Sequence, residues 1–286
     1  MNYQKYKPGK LLSEYVDCYW AGSIYDQSIS GRGESFVLIP DGVIELAFNF
    51  GDGITETLDS RKEVITGSYI SGIRKYSPQM TLPCYLNLFC VRFKLGGIYP
   101  FFQVPMNLLT NTYSKPDEFL GKEYGELEER MYEASDNLER VALIERYLLK
   151  KLRASSQEDH FVKDCSDLLF QDTSLRVSQL GDLFGTTYKT IERKFKKAIG
   201  VRPSELIKIK RINNAIHSIY SSQSSTLTEV AYTCGYYDQS HFIREFKQVT
   251  THTPREFVQK QYAICLNTEF KIPVSSKERG REMQVL

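Results

Sequence analysis

One short pattern occurs twice in the last third of this 286-residue chain, and it restricts the possible fold more than any other feature. The first copy, residues 188–196, reads YKTIERKFK, and the second, residues 239–247, reads QSHFIREFK. Arg193 and Arg244 lie 51 residues apart, as do the phenylalanine and the lysine that follow each of them. The repeat predicts that one helical unit is used twice.

Each copy has the spacing of two short helices joined by a glycine turn. In the first copy, Leu180, Leu183 and Phe184 recur at helical spacing. Gly185 follows at the turn, and Thr187 can cap the second helix. This is a helix-turn-helix, whose second helix enters the major groove of DNA with its first turns against the bases. The predicted buried residues of that helix are Ile191, Phe195 and Ile199, and the second copy repeats the pattern with Leu227, Val230, Ala231, Gly235, Asp238, Phe242 and Phe246.

The charge of the chain is divided between its two parts. The spacing of apolar and charged residues in one copy would also fit an ordinary amphipathic helix pair whose charges only solvate a surface. Residues 172–260, however, carry 14 Lys and Arg against 8 Asp and Glu, a net charge of +6. Residues 1–171 carry 19 against 24, a net charge of −5. Phosphate contacts supply most non-specific DNA affinity, so duplication and charge together favour a DNA-binding module.

Residues 172–262 resemble the DNA-binding domain of AraC/XylS-type bacterial transcription regulators. The matching stretches are RKFKKAIG at 193–200, PSEL at 203–206, LTEVA at 227–231, QSHF at 239–242, REFK at 244–247 and TPREF at 253–257. Gly181 departs from the family, which usually has alanine there, and glycine costs about 1 kcal/mol inside a helix, which predicts a softer first unit. Glu192 is a second departure, because an acidic side chain would repel phosphate. It is a candidate for reading a cytosine amino group instead.

The resemblance implies that a rigid helix joins the two units, and residues 203–220 can supply it. The two reading helices would then enter successive major grooves about 34 Å apart, on a site of roughly 16 to 20 base pairs. Matched by position, the base-reading residues are Lys189, Glu192, Arg193, Gln239, Ser240 and Arg244. The candidates for phosphate contacts are Lys196, Lys197, Arg202, Lys210 and Lys247. The alternative for the two arginines is an intramolecular salt bridge.

The first 155 residues have a different character. Residues 35–40, 43–50, 64–70 and 85–95 are rich in aromatic and β-branched residues and are separated by turn sequences, which predicts an antiparallel β sandwich or small barrel. A 3.6-residue periodicity predicts one or two helices at 121–153, which either cover the open sheet or pair with another chain. This domain resembles the cupin-like sensors of some such regulators. Residues 154–159 are predicted to be a linker, residues 160–262 an all-α DNA-binding domain with two helix-turn-helix units, and residues 263–286 a disordered tail.

A small-molecule pocket in this first domain would have aromatic walls and a few inward polar groups. Residues 1–159 contain no histidine, so a metal site of the cupin type is not expected. The sequence identifies no class of effector. The candidate effector-binding residues are Tyr19, Trp20, Glu45, Asn49 and Arg92.

Several other protein classes are not expected. The sequence has no apolar run of 18 residues and no signal-peptide core, which predicts a cytoplasmic protein without membrane contact. Its six cysteines have no paired metal spacing, and neither a phosphate-binding loop nor a nucleophile motif is present. We therefore expect no enzyme activity, no cofactor and no metal. A fused DNA-repair enzyme would need an acceptor-cysteine motif that Cys18, Cys84 and Cys90 do not offer.

Two hypotheses remain open from the sequence. In the first, the chain is a transcription regulator that binds double-stranded DNA and whose first domain responds to an unknown effector. In the second, the first domain only self-associates. A homodimer is expected in both cases from the apolar stripe of residues 127–152, and RNA polymerase is a partner if the chain is an activator.

Overall fold

The computed structural model describes residues 2–25, 35–58, 61–102, 104–154, 161–171, 177–221, 226–260, 264–266 and 269–271. Residues 155–159 of the predicted linker lie outside this part of the chain, and Ala154 ends a helix. The predicted fold class is confirmed: a β-rich N-terminal domain with helices precedes an all-α C-terminal domain. No helix among the described residues is long and apolar enough to cross a membrane.

The strands form two six-stranded sheets. Their bounds are Asn2–Tyr6 (β1), Val16–Tyr25 (β2), Ser35–Leu38 (β3), Glu45–Asn49 (β4), Ile54–Leu58 (β5), Arg61–Ile65 (β6), Tyr69–Ser71 (β7), Gln79–Thr81 (β8), Tyr85–Phe93 (β9), Tyr113–Ser114 (β10), Ile264–Leu266 (β11) and Glu269–Lys271 (β12). The first sheet has the order β1-β2-β9-β4-β7-β10, and the second has the order β12-β11-β3-β8-β5-β6. The prediction of one strand at 64–70 is wrong, because Gly67 takes a positive φ of 65° and sends β6 and β7 into different sheets.

The first sheet is buried on both faces. Tyr19 pairs with Val91, and both belong to a core on the helical side of the sheet. Trp20 pairs with Cys90, and both belong to a core between the two sheets. Successive strand residues point to opposite faces, so this register divides β2 and β9 between two cores.

Two helices cover the outer face of the first sheet. The short helical segments before them are Leu12–Glu14 and Met106–Leu109, both 3-10 helices, Tyr99–Phe102 (α1) and Asp117–Leu120 (α2). Lys122–Glu133 (α3) and Asn137–Ala154 (α4) then bury Leu127, Met131 and Ile144 against the sheet. Most side chains of the apolar stripe that was predicted to mediate dimerisation therefore pack within one chain. Leu138, which is 68% exposed, is the exception.

The C-terminal domain contains both predicted helix-turn-helix units. Its helices are Phe161–Gln171 (α5), Val177–Leu183 (α6), Tyr188–Ala198 (α7), Pro203–Ser221 (α8), Leu227–Thr233 (α9), Gln239–Thr250 (α10) and Pro254–Lys260 (α11). The turn glycines Gly185 and Gly235 have φ values of 59° and 80°, which favour glycine. Leu183 differs from the prediction, since it ends α6 with 60% of its side chain exposed.

The structure also differs from the predicted disordered tail. β11 runs parallel to β3, with Ile264 opposite Val37 and Cys265 opposite Leu38, and β12 pairs with β11. A sheet edge presents unpaired backbone groups that such a segment can satisfy. Residues 272–286 of the tail lie outside the described part.

Gly181 fits a close backbone approach rather than a weak point in α6. A Cβ atom at this position would lie 2.8 Å from the carbonyl oxygen of Thr186, in the turn that leads to α7. Overpacking of this kind costs about 1–3 kcal/mol, whereas alanine gains about 1 kcal/mol of helix propensity. We therefore expect Gly181→Ala to lower the free energy of unfolding by up to about 2 kcal/mol, measured by denaturant titration.

Gly125 in α3 is the matched control, because a Cβ there would have no atom within 4 Å apart from the backbone of its own helix. Gly125→Ala should raise stability by about 0.5–1 kcal/mol. If Gly181→Ala stabilised the protein as much as Gly125→Ala, the close approach would be of no consequence.

Candidate nucleic-acid interface

The helix predicted to be the first reading helix, α7, has one buried face and one charged exposed face. Thr187 caps it by accepting a hydrogen bond from the backbone N–H of Thr190. Ile191 and Phe195 are fully buried, and Lys189 and Arg193 are exposed one turn apart near the N-terminal end. These two predicted base-reading residues are therefore free of the core.

The second reading helix, α10, repeats this arrangement. Asp238 caps it by accepting from the backbone N–H of His241. Phe242 and Phe246 are fully buried. The exposed residues of its first turns are Gln239, Ser240 and Arg244.

Neither Arg193 nor Arg244 forms an ion pair with any residue of the described part of the chain. The intramolecular salt bridge that the sequence left open is thus not seen there. Each guanidinium keeps its fork of N–H donors available for a planar acceptor pair.

Glu192 is held by two of the residues predicted to bind phosphate. One of its oxygens lies 2.9 Å from Lys196 Nζ and 3.0 Å from Arg202 Nε. The bond to Lys196 lowers the pKa of Glu192 below its ordinary value, so it stays ionised. Reading a cytosine amino group would require Glu192 to exchange these partners.

We expect Glu192→Gln to strengthen non-specific DNA binding, because it frees both cations. The plot of log K against log salt concentration should become steeper by roughly 1 to 2. Glu133→Gln removes the same charge from an exposed position on α3 of the N-terminal domain and is the control. An equal effect of both variants would mean that only net charge matters.

The remaining phosphate candidates differ in their surroundings. Lys197 Nζ lies 5.4 Å from the centre of the Tyr99 ring in the N-terminal domain, and Lys210 Nζ lies 5.2 Å from that of Phe170. Lys247 is exposed on α10. Lys197 is also exposed, but it and the partly buried Lys210 lie against aromatic rings.

One long helix joins the two units. Leu206 and Ile209 of α8 pack in the core that contains α7, whereas Ile212 and Ile216 pack in the core that contains α10. Lys208 Nζ also donates to Gln248 Oε1 on α10, at 2.9 Å. Because α8 is a single rigid element in both cores, it fixes the spacing of the reading helices.

The N-terminal domain contacts the C-terminal ends of both reading helices. Thr110 Oγ1 donates to the carbonyl oxygen of Gly200 just after α7, at 2.8 Å. The backbone N–H of Ser77 donates to the carbonyl oxygen of Val249 in α10, at 2.7 Å. These contacts leave the first turns of both helices open.

Comparison with known proteins agrees with this geometry. Residues 180–260 match a family model described as a helix-turn-helix domain. The transcriptional activator RhaS of Yersinia pestis (strain Pestoides F) is 28% identical over 133 residues, which cover 43% of this chain and 48% of RhaS. RhaS of Enterobacter sp. (strain 638) is 28% identical over 102 residues, covering 36% of this chain and 33% of RhaS. The C-terminal domain is of the AraC/XylS type.

Outside the AraC/XylS-type domain, the comparisons give a family model without an assigned function and structures of low sequence identity. Residues 4–115 match a model described as a domain of unknown function (DUF6597). The chain spans about half the length, or less, of these curated relatives. ToxT from Vibrio cholerae is similar in structure with a TM-score of 0.45 and 11% identity, over 91% of this chain and 98% of ToxT. A ToxT structure with bound unsaturated fatty acid gives a TM-score of 0.40 and 15% identity, over 83% and 93%.

A cavity lies between the two sheets of the N-terminal domain, close to the AraC/XylS-type domain. Three of the predicted effector residues, Trp20, Glu45 and Arg92, line it. The other two, Tyr19 and Asn49, do not line it. Tyr19 faces the helices and its hydroxyl donates to Glu145, and Asn49 bonds its side chain to the backbone of Gly51 and Asp52 in a turn.

Sequence reasoning missed a buried ion pair between Arg74, which lines the cavity, and Glu56. Arg74 and Glu56 lie 3.1 Å apart, and the guanidinium is 4.0 Å from the centre of the Tyr113 ring. The residues come from different strands and loops, so no local spacing indicates the pair. Among the described residues, no group of His, Cys, Asp or Glu side chains could hold a metal ion.

The strand β3 and the residue after it separate the cavity from the second reading unit. Phe36 and Leu38 line the cavity, and Val37 belongs to the core that holds α10. Ile39 touches both, and its side chain is 2% exposed. One short segment is therefore a wall of the cavity and a part of the second unit.

Proposed function

We propose that the chain is a sequence-specific transcription regulator that reads two successive major grooves with α7 and α10. The observation that carries this proposal is the pair of exposed arginines, Arg193 and Arg244, at matching places on two helices that α8 holds together. An arginine can bind guanine through two hydrogen bonds, and Gln239 can bind adenine in the same way, each worth about 1–3 kcal/mol of discrimination. Lys189 and Ser240 complete the proposed reading face. Lys247, with Lys196, Lys197, Arg202 and Lys210 where their present partners release them, would contact phosphate, and Glu192 is the proposed acidic reader.

The second part of the proposal concerns control by the N-terminal domain. A molecule in the cavity would touch Phe36, Leu38 and Ile39, and Ile39 also packs in the core of the second unit. An effector acts only if it binds two arrangements of the protein with different affinity, and this segment could differ between them. The alternative is a first domain that only self-associates and binds no effector.

Selection of bound sequences from a random DNA library tests the first part, using the full chain with Arg193→Ala and Arg244→Ala as controls. We expect a two-part motif whose half-sites lie about one helical turn apart. Each variant should lose sequence preference in one of the two half-sites. No enriched motif, or one left unchanged in both variants, would remove the proposed reading face.

We also propose the compartment and the partners that a transcription regulator of this kind would have. Such a chain acts in the cytoplasm on double-stranded DNA, contacts RNA polymerase if it is an activator, and catalyses no reaction. Self-association keeps less support, because the α3–α4 stripe is largely buried within the chain. A single monomeric species of the full chain in sedimentation at tens of micromolar would exclude the homodimer.

A further inference from the structure

The cavity in the N-terminal domain has room for one compact molecule. Its volume of about 130 Å³ is close to that of an engineered cavity of about 150 Å³ that binds benzene. Most of the wall is apolar or aromatic. Its principal members are Trp20, Phe36, Leu38, Tyr69, Met80 and Leu88.

One carboxylate oxygen on the wall is open to a donor. Trp20 Nε1 and Arg92 Nη1 both donate to Glu45 Oε1, each at 3.1 Å. Glu45 Oε2 accepts no hydrogen bond from the described residues, and the side chain is 20% exposed. A ligand group placed here would therefore meet an acceptor.

The ion-pair cluster that includes Glu45 has more negative than positive groups. Arg92 forms ion pairs with Asp17, Asp41 and Glu45, so three carboxylates surround one guanidinium. Arg74 on the same wall is already matched by Glu56. Burial raises the pKa of Glu45, and Asp41 adds to this, so a cation beside Glu45 would stabilise its charged form.

We propose that the cavity binds a compact primary amine with an aromatic or branched apolar body, whose ammonium group donates to Glu45. The ammonium would offset the excess carboxylate charge of this cluster, and the apolar body of the ligand would lie against the aromatic and aliphatic wall. A carboxylate ligand would meet like charge from Glu45 and Asp41. The inference rests on the proposed role of this domain as the effector-binding part of a regulator.

The chain offers a direct probe of occupancy, because Trp20 is its one tryptophan. Benzylamine, benzyl alcohol and benzoate share a ring and differ in charge, so titration of the full chain with each compares the three classes. We expect benzylamine to change the Trp20 fluorescence saturably and to raise the melting temperature by roughly 2–4 °C at ten times its dissociation constant. Benzyl alcohol should bind at least tenfold more weakly, and benzoate should not bind.

Glu45→Gln should weaken benzylamine binding at least tenfold, while Glu63→Gln on the exposed strand β6 removes the same charge and should not. Equal or tighter binding of benzoate or benzyl alcohol, or no fluorescence change with millimolar benzylamine in the unaltered chain, would overturn the proposal. The titration needs no DNA, so its failure leaves the library selection intact, and a failed selection leaves the amine result standing.

Discussion

Replacing both Arg193 and Arg244 with alanine is expected to weaken specific DNA binding by about 2–6 kcal/mol. Each arginine is expected to contribute about 1–3 kcal/mol, and the two lie on separate helices, so their effects should add. Both side chains are exposed and have no ion pair among the described residues, so the fold should be unaffected. Fluorescence anisotropy with the selected site, at fixed salt, measures the loss.

The control is Arg61→Ala with Arg146→Ala, two exposed arginines of the N-terminal domain. This pair removes the same charge and should change the affinity much less. A similar loss in both double variants would mean that the chain attracts DNA through net charge only.

Replacing Ile39 with alanine is expected to lower the free energy of unfolding by about 2–5 kcal/mol, because the side chain is 2% exposed and a cavity would remain. The substitution should also affect DNA reading by α10 more than DNA reading by α7. Ile39 packs in the core that contains Phe242 and Phe246, so α10 would be held less firmly than α7. Denaturant titration measures the first effect, and the blurring of one half-site in the library selection measures the second.

Ile65 provides the matched comparison, since it is 5% exposed in the core between the sheets and is not part of the core of the second unit. Ile65→Ala should destabilise the protein to a similar degree and leave both half-sites readable. If Ile39→Ala blurred both half-sites equally, the first domain would not act on the second unit selectively.

The reading units could be predicted from the sequence because their signals are local. A cap such as Thr187 or Asp238, a glycine turn, and apolar residues four apart all lie within about 20 residues. The structure therefore agrees with the sequence on the caps, the turns and the buried faces of α7 and α10, although Leu183 at the end of α6 is exposed.

The residues that line the cavity could be predicted only in part, because strand register decides which side chains face it. Tyr19 and Trp20 are neighbours in a strand whose two faces are both buried, so composition does not say which one faces the cavity. The partners of Arg92 come from β2, β4 and the loop before β4. No local pattern brings these segments together, and the same holds for Glu192 and Arg202, which meet around the turn at Gly200.

The contact between the residues around β3 and the second unit also sets an order of events during synthesis. Val37 and Ile39 leave the ribosome long before Phe257, the last buried residue of the core that covers them. At about 5–20 residues per second this interval is on the order of ten to forty seconds. During that time the apolar side chains of Val37 and Ile39 lack the helices that cover them in the folded protein, so this part of the first domain reaches its final packing only after the last helices have been made.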